Sequence, residues 1–421
     1  MRRISFEISV GIAVVCFAGG CGSNVDRPAK LIEGGAYKNA AEAVLGDREG
    51  AVTVAASLLG LAAARPEYMY RAVDRLSATG EAGRRVLTSI AERTDALGRA
   101  ARLGLARFDT PDDWTERSCA ADTESEVRRL CALFFHRSLS AETLRRMMTD
   151  IDATVRFYAL KGAALLPSDV AKNMGAAEVL RRDPSRKVRL EAARRGDLLG
   201  DDALLLLKAA TQSELDGMRL AAVEGLSTLG TSDALALLAS MAAGPMDNVS
   251  LAASAALSAG GDMSARERLL GALKDKRPGV RASALYLLDA AKIPDRADRV
   301  AAALDDVSPE TVLAAANLMR RDETRRAEIL KALLRVSEKT EGAQAASILA
   351  LRAQLSDSEA ADALRAALEE TGADEAATIQ WIGRATGAVL LFDDISRLMG
   401  DDREKVRIEA AFAILFSRPK I

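Results

Sequence analysis

The stretch DKRPGVRASALYLL, residues 275–288, combines an aspartate, a Pro-Gly pair and an apolar stripe. Pro278 and Gly279 favour a turn, and the residues after Val280 place apolar side chains at helical spacing. The aspartate stands five residues before a Val-Arg pair. The stretch therefore predicts a turn that leads into an amphipathic helix.

The same Asp-x4-Val-Arg skeleton occurs five times in the chain. The copies are Asp122/Val127/Arg128, Asp150/Val155/Arg156, Asp183/Val188/Arg189, Asp275/Val280/Arg281 and Asp401/Val406/Arg407. Weaker copies are anchored at Met218, Val249, Val312, Ala343 and Ala376, so the anchors from Val127 onward follow one another in steps of 28 to 33 residues. A regular period of this length indicates a repeat architecture.

Each unit predicts two helices. Small apolar residues such as Ala192 and Ala193 follow the Val-Arg pair, then a Gly-containing break and a second apolar stretch. Two short helices cannot bury their apolar faces alone, whereas stacked pairs share a continuous core. The expected fold class is all-α, an α-α superhelix (solenoid) of about eleven to twelve helical hairpins. Stacked in line, these would form a curved rod on the order of 100 Å long.

These residues resemble the HEAT-repeat family, in particular its phycobilisome-lyase-type repeats. The resemblance is strongest over residues 122–415, and DREGAVTVAASLLGL (47–61), which mirrors DREKVRIEAAFAIL (402–415), extends the solenoid domain to residues 35–421. It implies that the second helices line a concave face and that Arg and Asp side chains of neighbouring units form a structural ladder. The ladder residues would be Asp122, Arg128, Asp150, Arg156, Asp183, Arg189, Asp275, Arg281, Asp401 and Arg407.

The N-terminal residues MRRISFEISVGIAVVCFAGGC (1–21) place two arginines and a short apolar run before Ala-Gly-Gly-Cys. The run suits a secretory signal rather than a membrane span. It resembles the bacterial lipoprotein signal, which implies cleavage after residue 20, lipidation of Cys21, and a tether over residues 21–34. By the same analogy, Gly22 favours the periplasmic side of the outer membrane. The alternative is an ordinary cleaved signal peptide with an incidental cysteine.

Cys119 and Cys131 remain once Cys16 and Cys21 are assigned to the signal and the anchor. In an oxidising compartment they can pair across a turn near Asp122. The alternative is two separate buried cysteines that act as small hydrophobic residues. The sequence leaves both open.

Enzymatic interpretations find little support. His136 is the single histidine of the chain, which rules out a histidine metal cluster. The sequence contains no phosphate-binding loop, nucleophile elbow or dinucleotide glycine pattern. The charges are mixed and the net charge is -2, which gives no electrostatic footprint for nucleic acid. We expect a non-enzyme without cofactor, metal or nucleic-acid partner.

The third and sixth positions after each anchor should face the concave groove. The predicted partner-binding residues are Tyr158, Lys161, Glu191, Arg194, Arg195 and Tyr286, with Glu224 and Phe412 at equivalent positions. Tyr and Arg are enriched at interface centres, so the strip from residue 158 to residue 195 is the predicted hot spot. The alternative is a solvated helix face with scattered aromatic residues.

Together these features predict a lipid-anchored scaffold for protein–protein interaction in the bacterial cell envelope. Two alternatives are a lyase- or chaperone-like enzyme that acts on a substrate in the groove and a purely structural spacer. The units anchored at Ala343 and Ala376 are the weakest copies of the repeat. Whether they loosen the stack is left open.

Overall fold

The computed structural model describes residues 26–108, 118–371 and 374–416, and all regular secondary structure within these ranges is helical. The predicted all-α class is confirmed. The predicted signal peptide (residues 1–20), Cys21 and Gly22 lie outside the described residues.

The described residues form 26 α-helices. The first six are α1 (Asp26–Glu33), α2 (Tyr37–Glu42), α3 (Arg48–Ala62), α4 (Pro66–Ser77), α5 (Glu81–Ala91) and α6 (Ala96–Leu105). The next eight are α7 (Ser125–Phe135), α8 (Ala141–Met147), α9 (Ala153–Ala163), α10 (Ser168–Ala171), α11 (Ala176–Arg182), α12 (Arg186–Arg194), α13 (Ala203–Thr211) and α14 (Asp216–Leu229). They are followed by α15 (Ser232–Ala242), α16 (Asn248–Ala259), α17 (Met263–Ala272), α18 (Pro278–Leu287), α19 (Arg296–Ala302) and α20 (Pro309–Met319). The last six are α21 (Arg326–Ser337), α22 (Gly342–Gln354), α23 (Ser358–Glu370), α24 (Glu375–Ala385), α25 (Phe392–Leu398) and α26 (Glu404–Phe416). Short 3-10 helices lie at Cys119–Ala121, Gly196–Leu198, Gly200–Asp202, Ala303–Asp305, Glu323–Arg325 and Val389–Leu391.

The repeated aspartates turn the chain into the helices that follow them. In each, Oδ1 accepts a hydrogen bond of 2.8–2.9 Å from the backbone N–H two residues further on. This local turn is made by Asp122, Asp150, Asp183, Asp275, Asp306 and Asp401. Such a side chain substitutes for a backbone turn and sets the direction in which the helix starts. The recurring aspartate therefore has a local structural cause.

The helices that follow these turns, together with α14, α16, α22 and α24 at the corresponding positions of other layers, pack on one another from layer to layer. The sequence of contacts runs α7–α9–α12–α14–α16–α18–α20–α22–α24–α26. The helices between them, such as α11, α13 and α15, make few contacts with each other. In a curved stack, the set with the closer spacing lies on the inside. The helices of the first set therefore line the inner face.

The last helix of this set, α26, packs against α3, which closes the circuit of layers. The contact between them is apolar: Ala55, Leu59, Ala410 and Ala411 are fully buried. The buried core continues from α22–α26 directly into α1–α3. The expected open rod is therefore wrong. The apolar faces of α3 and α26 must be covered, and here the two ends of the chain cover each other.

Polar contacts accompany this closure. The Gly46 N–H donates to Asp393 Oδ1 at 2.9 Å. The Arg407 guanidinium lies 4.2 Å from the centre of the Tyr37 ring. These two polar contacts join the first and last layers outside the apolar contact of α3 with α26.

One helix, α4, departs from the alternation of two helices per layer. It lies beside α26, with Arg65 Nη2 2.7 Å from Glu404 Oε2 and Arg71 Nη1 2.9 Å from Glu409 Oε1. Its other neighbours are α3, α5, α6 and α7. The helix therefore spans the place where the two ends of the chain meet.

The predicted tether over residues 21–34 is wrong from Asp26 onward. Residues 26–33 form α1, which packs against α3 and buries Ile32 to 1% exposure. The segment DRPAKLIE is amphipathic, and Pro28 stands in its first turn, where a proline is tolerated. The folded region thus begins earlier than residue 35.

The structure places three of the predicted ladder arginines against the aspartate of the following layer. Arg128 contacts Asp150 (2.7 and 3.0 Å), Arg156 contacts Asp183 (2.6 and 2.8 Å), and Arg281 contacts Asp306 (2.7 and 2.8 Å). Each arginine also donates through Nη1 to the main-chain carbonyl of the repeated aspartate in its own unit, at 2.7–2.8 Å. Arg99 and Asp122 form a fourth pair (2.6 and 3.0 Å).

The ladder is not continuous. The carboxylates of Asp275 and Asp401 pair with Arg277 and Arg403 of their own turns, at 2.9 and 2.8 Å. For Asp275, the preceding layer offers Ser250 where the pattern requires an arginine. Asp275 and Asp401 were therefore predicted wrongly as cross-layer partners.

Arg189 and Arg407 also depart from the ladder. They keep the hydrogen bond to the carbonyl of their own aspartate, Asp183 or Asp401. Within the described ranges, neither arginine pairs with a carboxylate of the next layer. The ladder is therefore confined to some of the layers.

The predicted anchors Ala343 and Ala376 are also wrong. Both are exposed, whereas Val127, Val155 and Val312 are completely buried. In α22 the buried positions begin at Ile348, and in α24 they begin at Thr378. An alanine side chain gains little from burial, so nothing holds these two helices in the register of the others.

Cys119 and Cys131 are joined by a disulfide, with 5.6 Å between their Cα atoms. The bond ties the 3-10 turn at Cys119–Ala121 to α7, and both residues are fully buried. The sequence left open whether these cysteines pair or remain separate, and in the structure they pair.

Candidate functional site

The inner face carries an aromatic cluster centred on Tyr158 of α9. The Tyr158 ring lies 5.4 Å from the His136 ring and 5.3 Å from the Phe157 ring, measured between ring centres. Tyr70 of α4 approaches the same tyrosine, and the pKa of Tyr70 is raised by burial and then by Tyr158. The cluster therefore joins three elements, α4, α7 and α9.

Two lysines complete the cluster. Lys161 Nζ lies 4.9 Å from the centre of the Phe157 ring, and Lys187 Nζ lies 4.3 Å from it. A cation within about 6 Å of a ring face is attracted by its quadrupole. We define the Tyr158 cluster as Tyr70, His136, Phe157, Tyr158, Lys161 and Lys187. Phe157 is buried, whereas the other members are partly or fully exposed, so the surface shows aromatic groups and ammonium groups side by side.

The histidine of the cluster is neutral near pH 7. Burial lowers the pKa of His136 below its ordinary value; the hydrogen bonds to the Ala132 and Leu133 carbonyls offset part of this effect, and the nearby Arg137 and Lys161 add to it. Its Nδ1 lies 3.0 Å from the Ala132 carbonyl, so Nδ1 carries the proton and donates it there. This bond fixes the ring against its own helix and makes it a supporting surface for Tyr158.

Beyond the cluster, the inner face continues into charged residues on α12. Glu191, which was predicted to face a partner, is only 3% exposed, and Arg195 Nε lies 3.3 Å from its Oε1. That prediction is wrong. Arg194 Nη1 lies 3.7 Å from Glu191 Oε2, so both arginines that follow Glu191 pair with its buried carboxylate.

The neighbouring arginines remain accessible. The side chains of Arg194 and Arg195 are 41% and 35% exposed. Arg194 Nε lies 3.2 Å from Glu224 Oε2, which links α12 to α14. They form a charged margin to the Tyr158 cluster.

The structure does not bring the other predicted groove residues to this place. Tyr286 is 52% exposed and lines a separate hollow of about 550 Å³ with Leu318 and Arg325. Phe412 is buried beneath Arg71, whose guanidinium lies 4.3 Å from the ring centre. Helix α4 covers this part of the inner face, and the repeat pattern contains no such helix.

Sequence reasoning missed Tyr70, Phe157 and Lys187 as site residues. Tyr70 lies on α4, outside the repeat, and only folding brings it near residue 158. One signal was present: PEYMYRA, residues 66–72, contains two of the five tyrosines of the chain. Concentrated tyrosines on a helix outside the pattern indicate a contact surface.

The side chains of the cluster are aromatic rings, one imidazole and two ammonium groups. Across the three described ranges, no group of three or more His, Cys, Asp or Glu side chains is arranged to hold an ion. In the same ranges, no helix is long and apolar enough to cross a bilayer. The arrangement offers aromatic surface, hydrogen-bond donors and positive charge to a ligand.

Comparison with known proteins adds little. No family model and no curated protein matches the sequence. One solved structure, an engineered protein, is 17% identical over 94% of this chain and 99% of its own, with a TM-score of 0.25. A TM-score this low supports no argument about fold or function.

Proposed function

We propose that the protein is a closed α-solenoid of HEAT-like repeats that serves as a membrane-anchored scaffold and holds a partner protein on its inner face. The observation that carries this proposal is the Tyr158 cluster. Tyrosine is enriched at the centres of interfaces because it adds contact area at little entropic cost. Here it is flanked by two lysines and supported by a fixed histidine.

The framework around the cluster supports the same proposal. Arg128 and Arg156, whose ion pairs cross the layers, lie on α7 and α9, which also carry His136 and Tyr158. Side chains on tied helices lose little freedom when a partner binds, which favours affinity. A rigid aromatic surface with a charged margin suits a protein partner better than a small molecule.

Site-specific photocrosslinking tests the scaffold. Tyr158→p-benzoylphenylalanine, expressed in full-length protein in the native host, should yield one discrete protein adduct. The matched control is the same substitution at Leu235, which is 43% exposed on the outer helix α15. No adduct at either position would favour a structural spacer. Recovery of a partner in a covalently altered form would favour the lyase-like alternative.

A second comparison measures the strength of the contact. The pair of changes Tyr158→Ala and Lys161→Ala should reduce partner recovery at least tenfold, since hot-spot residues each contribute about 2 kcal/mol or more. Leu235→Ala should leave recovery unchanged. Equal recovery from both variants would remove the Tyr158 cluster as the binding site.

The anchor is tested separately. We propose that residues 1–20 are removed and that Cys21 carries the lipid. Cys21→Ala should abolish labelling by radioactive palmitate and release the protein from membranes, whereas Cys16→Ala should retain both. By analogy with bacterial lipoproteins, Gly22→Asp should move the protein to the inner membrane. A Cys21→Ala protein that still sediments with membranes would rule out the lipid anchor.

A further inference from the structure

A second hollow opens on the inner face between α22 and α24. It has a volume of about 570 Å³, within the range of ligand sites. We define the Trp381 pocket by its lining residues: Ser337, Gly342, Ala343, Ala345, Ala346, Leu349, Arg352, Trp381 and Arg384. The pocket shares no residue with the Tyr158 cluster.

The pocket exists because two successive layers lack their packing residues. Ala343 stands where other units carry a buried valine, and it is exposed at the edge of the hollow. Ala345 and Ala346 add only methyl groups to the wall. The space that larger side chains occupy between other layers is open here, and Leu349 and Trp381 form its apolar surface.

The two arginines of the pocket differ in their partners. Arg352 is 8% exposed and already paired, with Nε 2.7 Å from Asp357 Oδ2. The Arg384 guanidinium stacks over the Trp381 ring at 4.5 Å. Among the described residues, Arg384 has no carboxylate within ion-pair distance.

This arrangement prepares Arg384 for a carboxylate. Stacking on the indole fixes the plane of the guanidinium while the N–H groups at its edge stay available. Two parallel N–H groups match the two oxygens of a carboxylate. The rest of the wall is chiefly apolar, so the ligand must also carry an aliphatic group.

We propose that the Trp381 pocket binds a partner peptide in which an aspartate or glutamate stands next to an aliphatic side chain. The carboxylate pairs with Arg384, and the aliphatic group packs on Trp381, Leu349 and Ala346. One unpaired guanidinium suits a single carboxylate better than a polyphosphate or a nucleic-acid backbone, which require several cations. The site acts whether or not the Tyr158 cluster binds a partner.

Selection from a random heptapeptide display library tests the proposal without assuming a sequence. The bait is the purified full-length protein, beside Arg384→Gln. Peptides selected by the wild type should be at least threefold enriched in Asp or Glu adjacent to Leu, Ile, Val or Met. Arg384→Gln should lose this enrichment, and Arg384→Lys should retain part of it. Tyr158→Ala should retain all of it, which separates this site from the proposed function.

Fluorescence then locates the bound peptide. The chain has two tryptophans, so Trp114→Phe leaves Trp381 as the only reporter. The selected peptide should change the emission in a saturable way, and its Glu→Gln analogue should bind at least tenfold more weakly. Absence of acidic enrichment, equal selection by Arg384→Gln, or equal binding of the analogue would each overturn the proposal. Circular dichroism of Arg384→Gln provides the control for folding.

Discussion

Two regions of the inner face are built from the same repeat and pack differently. In residues 96–229, arginines join one layer to the next, and Val127, Val155 and Val188 fill the space between layers. In residues 342–385, Arg352 pairs with Asp357 inside its own hairpin, and alanine replaces the anchor valine. We call these the tight region and the open region. The first presents a cluster on its surface, and the second contains a pocket.

The difference teaches what the skeleton contributes. The valine and the cross-layer ion pair hold successive inner helices together at α7, α9 and α12. Where both are lost, at α22 and α24, the chain remains helical and a hollow opens between the layers. Weak copies of a repeat are therefore places to search for binding sites.

The largest expected effect tests the ladder in the tight region. Arg156 and Asp183 have side chains only 9% and 4% exposed, so Arg156→Ala leaves a buried carboxylate without its partner. The expected loss is about 3–5 kcal/mol in the free energy of unfolding, measured by urea titration. Arg281→Ala, at a pair with 12% and 16% exposure, should lose only about 1–2 kcal/mol.

An exposed pair provides the control for this series. Arg182 and Glu178 are 81% and 54% exposed, and Arg182→Ala should cost less than about 1 kcal/mol. A result in which Arg156→Ala unfolds at the same urea concentration as Arg182→Ala would show that the ladder does not set the tightness of this region.

The disulfide gives the tight region a second restraint. Cys119 and Cys131 are 12 residues apart, and closing a loop of this size stabilises by about 3 kcal/mol. Cys119→Ser together with Cys131→Ser should lower the thermal midpoint, and reductant should lower that of the wild type to a similar value. If reductant leaves the wild-type midpoint unchanged, the two sulfurs are not bonded in solution.

Two glycines test the comparison with opposite signs. A Cβ on Gly225 would lie 2.0 Å from the Ala193 carbonyl oxygen, so Gly225→Ala should cost about 1–3 kcal/mol by overpacking. A Cβ on Gly383 of α24 would meet nothing within 4 Å, and Gly383→Ala should stabilise its helix by about 1 kcal/mol. Chemical denaturation measures both. Effects of the same sign would mean that the two regions do not differ in packing.

Features that recur in every repeat unit were predicted from the sequence, and features that occur once in the chain were missed. The Asp turns and the all-α class follow from local chemistry that every unit restates. Tyr158 and Lys161 were predicted as groove residues because they lie three and six positions after Val155. Closure of the circuit was not predicted, although the C-terminal parts of DREGAVTVAASLLGL and DREKVRIEAAFAIL (residues 47–61 and 402–415) are runs of apolar residues, whereas a terminal unit exposed to water requires a polar outer face.

The remaining errors have the same cause. Counting positions places Glu191 on the groove, but the side chain is buried and pairs with Arg194 and Arg195. Tyr70 reaches the site from a helix that no other unit contains. Arg384 and Trp381 line a pocket because α22 and α24 leave the register of the other inner helices. A search for the repeat pattern assumes that register throughout, so it does not identify these two residues.

The smallest expected effect concerns pH, and only the tight region should show it. His136 is the one histidine of the chain, and burial holds its pKa below the ordinary value of about 6.5. As pH falls through this value, the unfolded chain takes up a proton that the folded chain resists, so stability is lost below it. The free energy of unfolding should therefore fall between about pH 7 and about pH 5, and His136→Asn should flatten this slope. The asparagine amide can keep the hydrogen bond to the Ala132 carbonyl, which separates the charge from the packing. Parallel slopes for the two proteins would mean that the ring is exposed to solvent, and Tyr158 would then lack the fixed surface on which its role in binding depends.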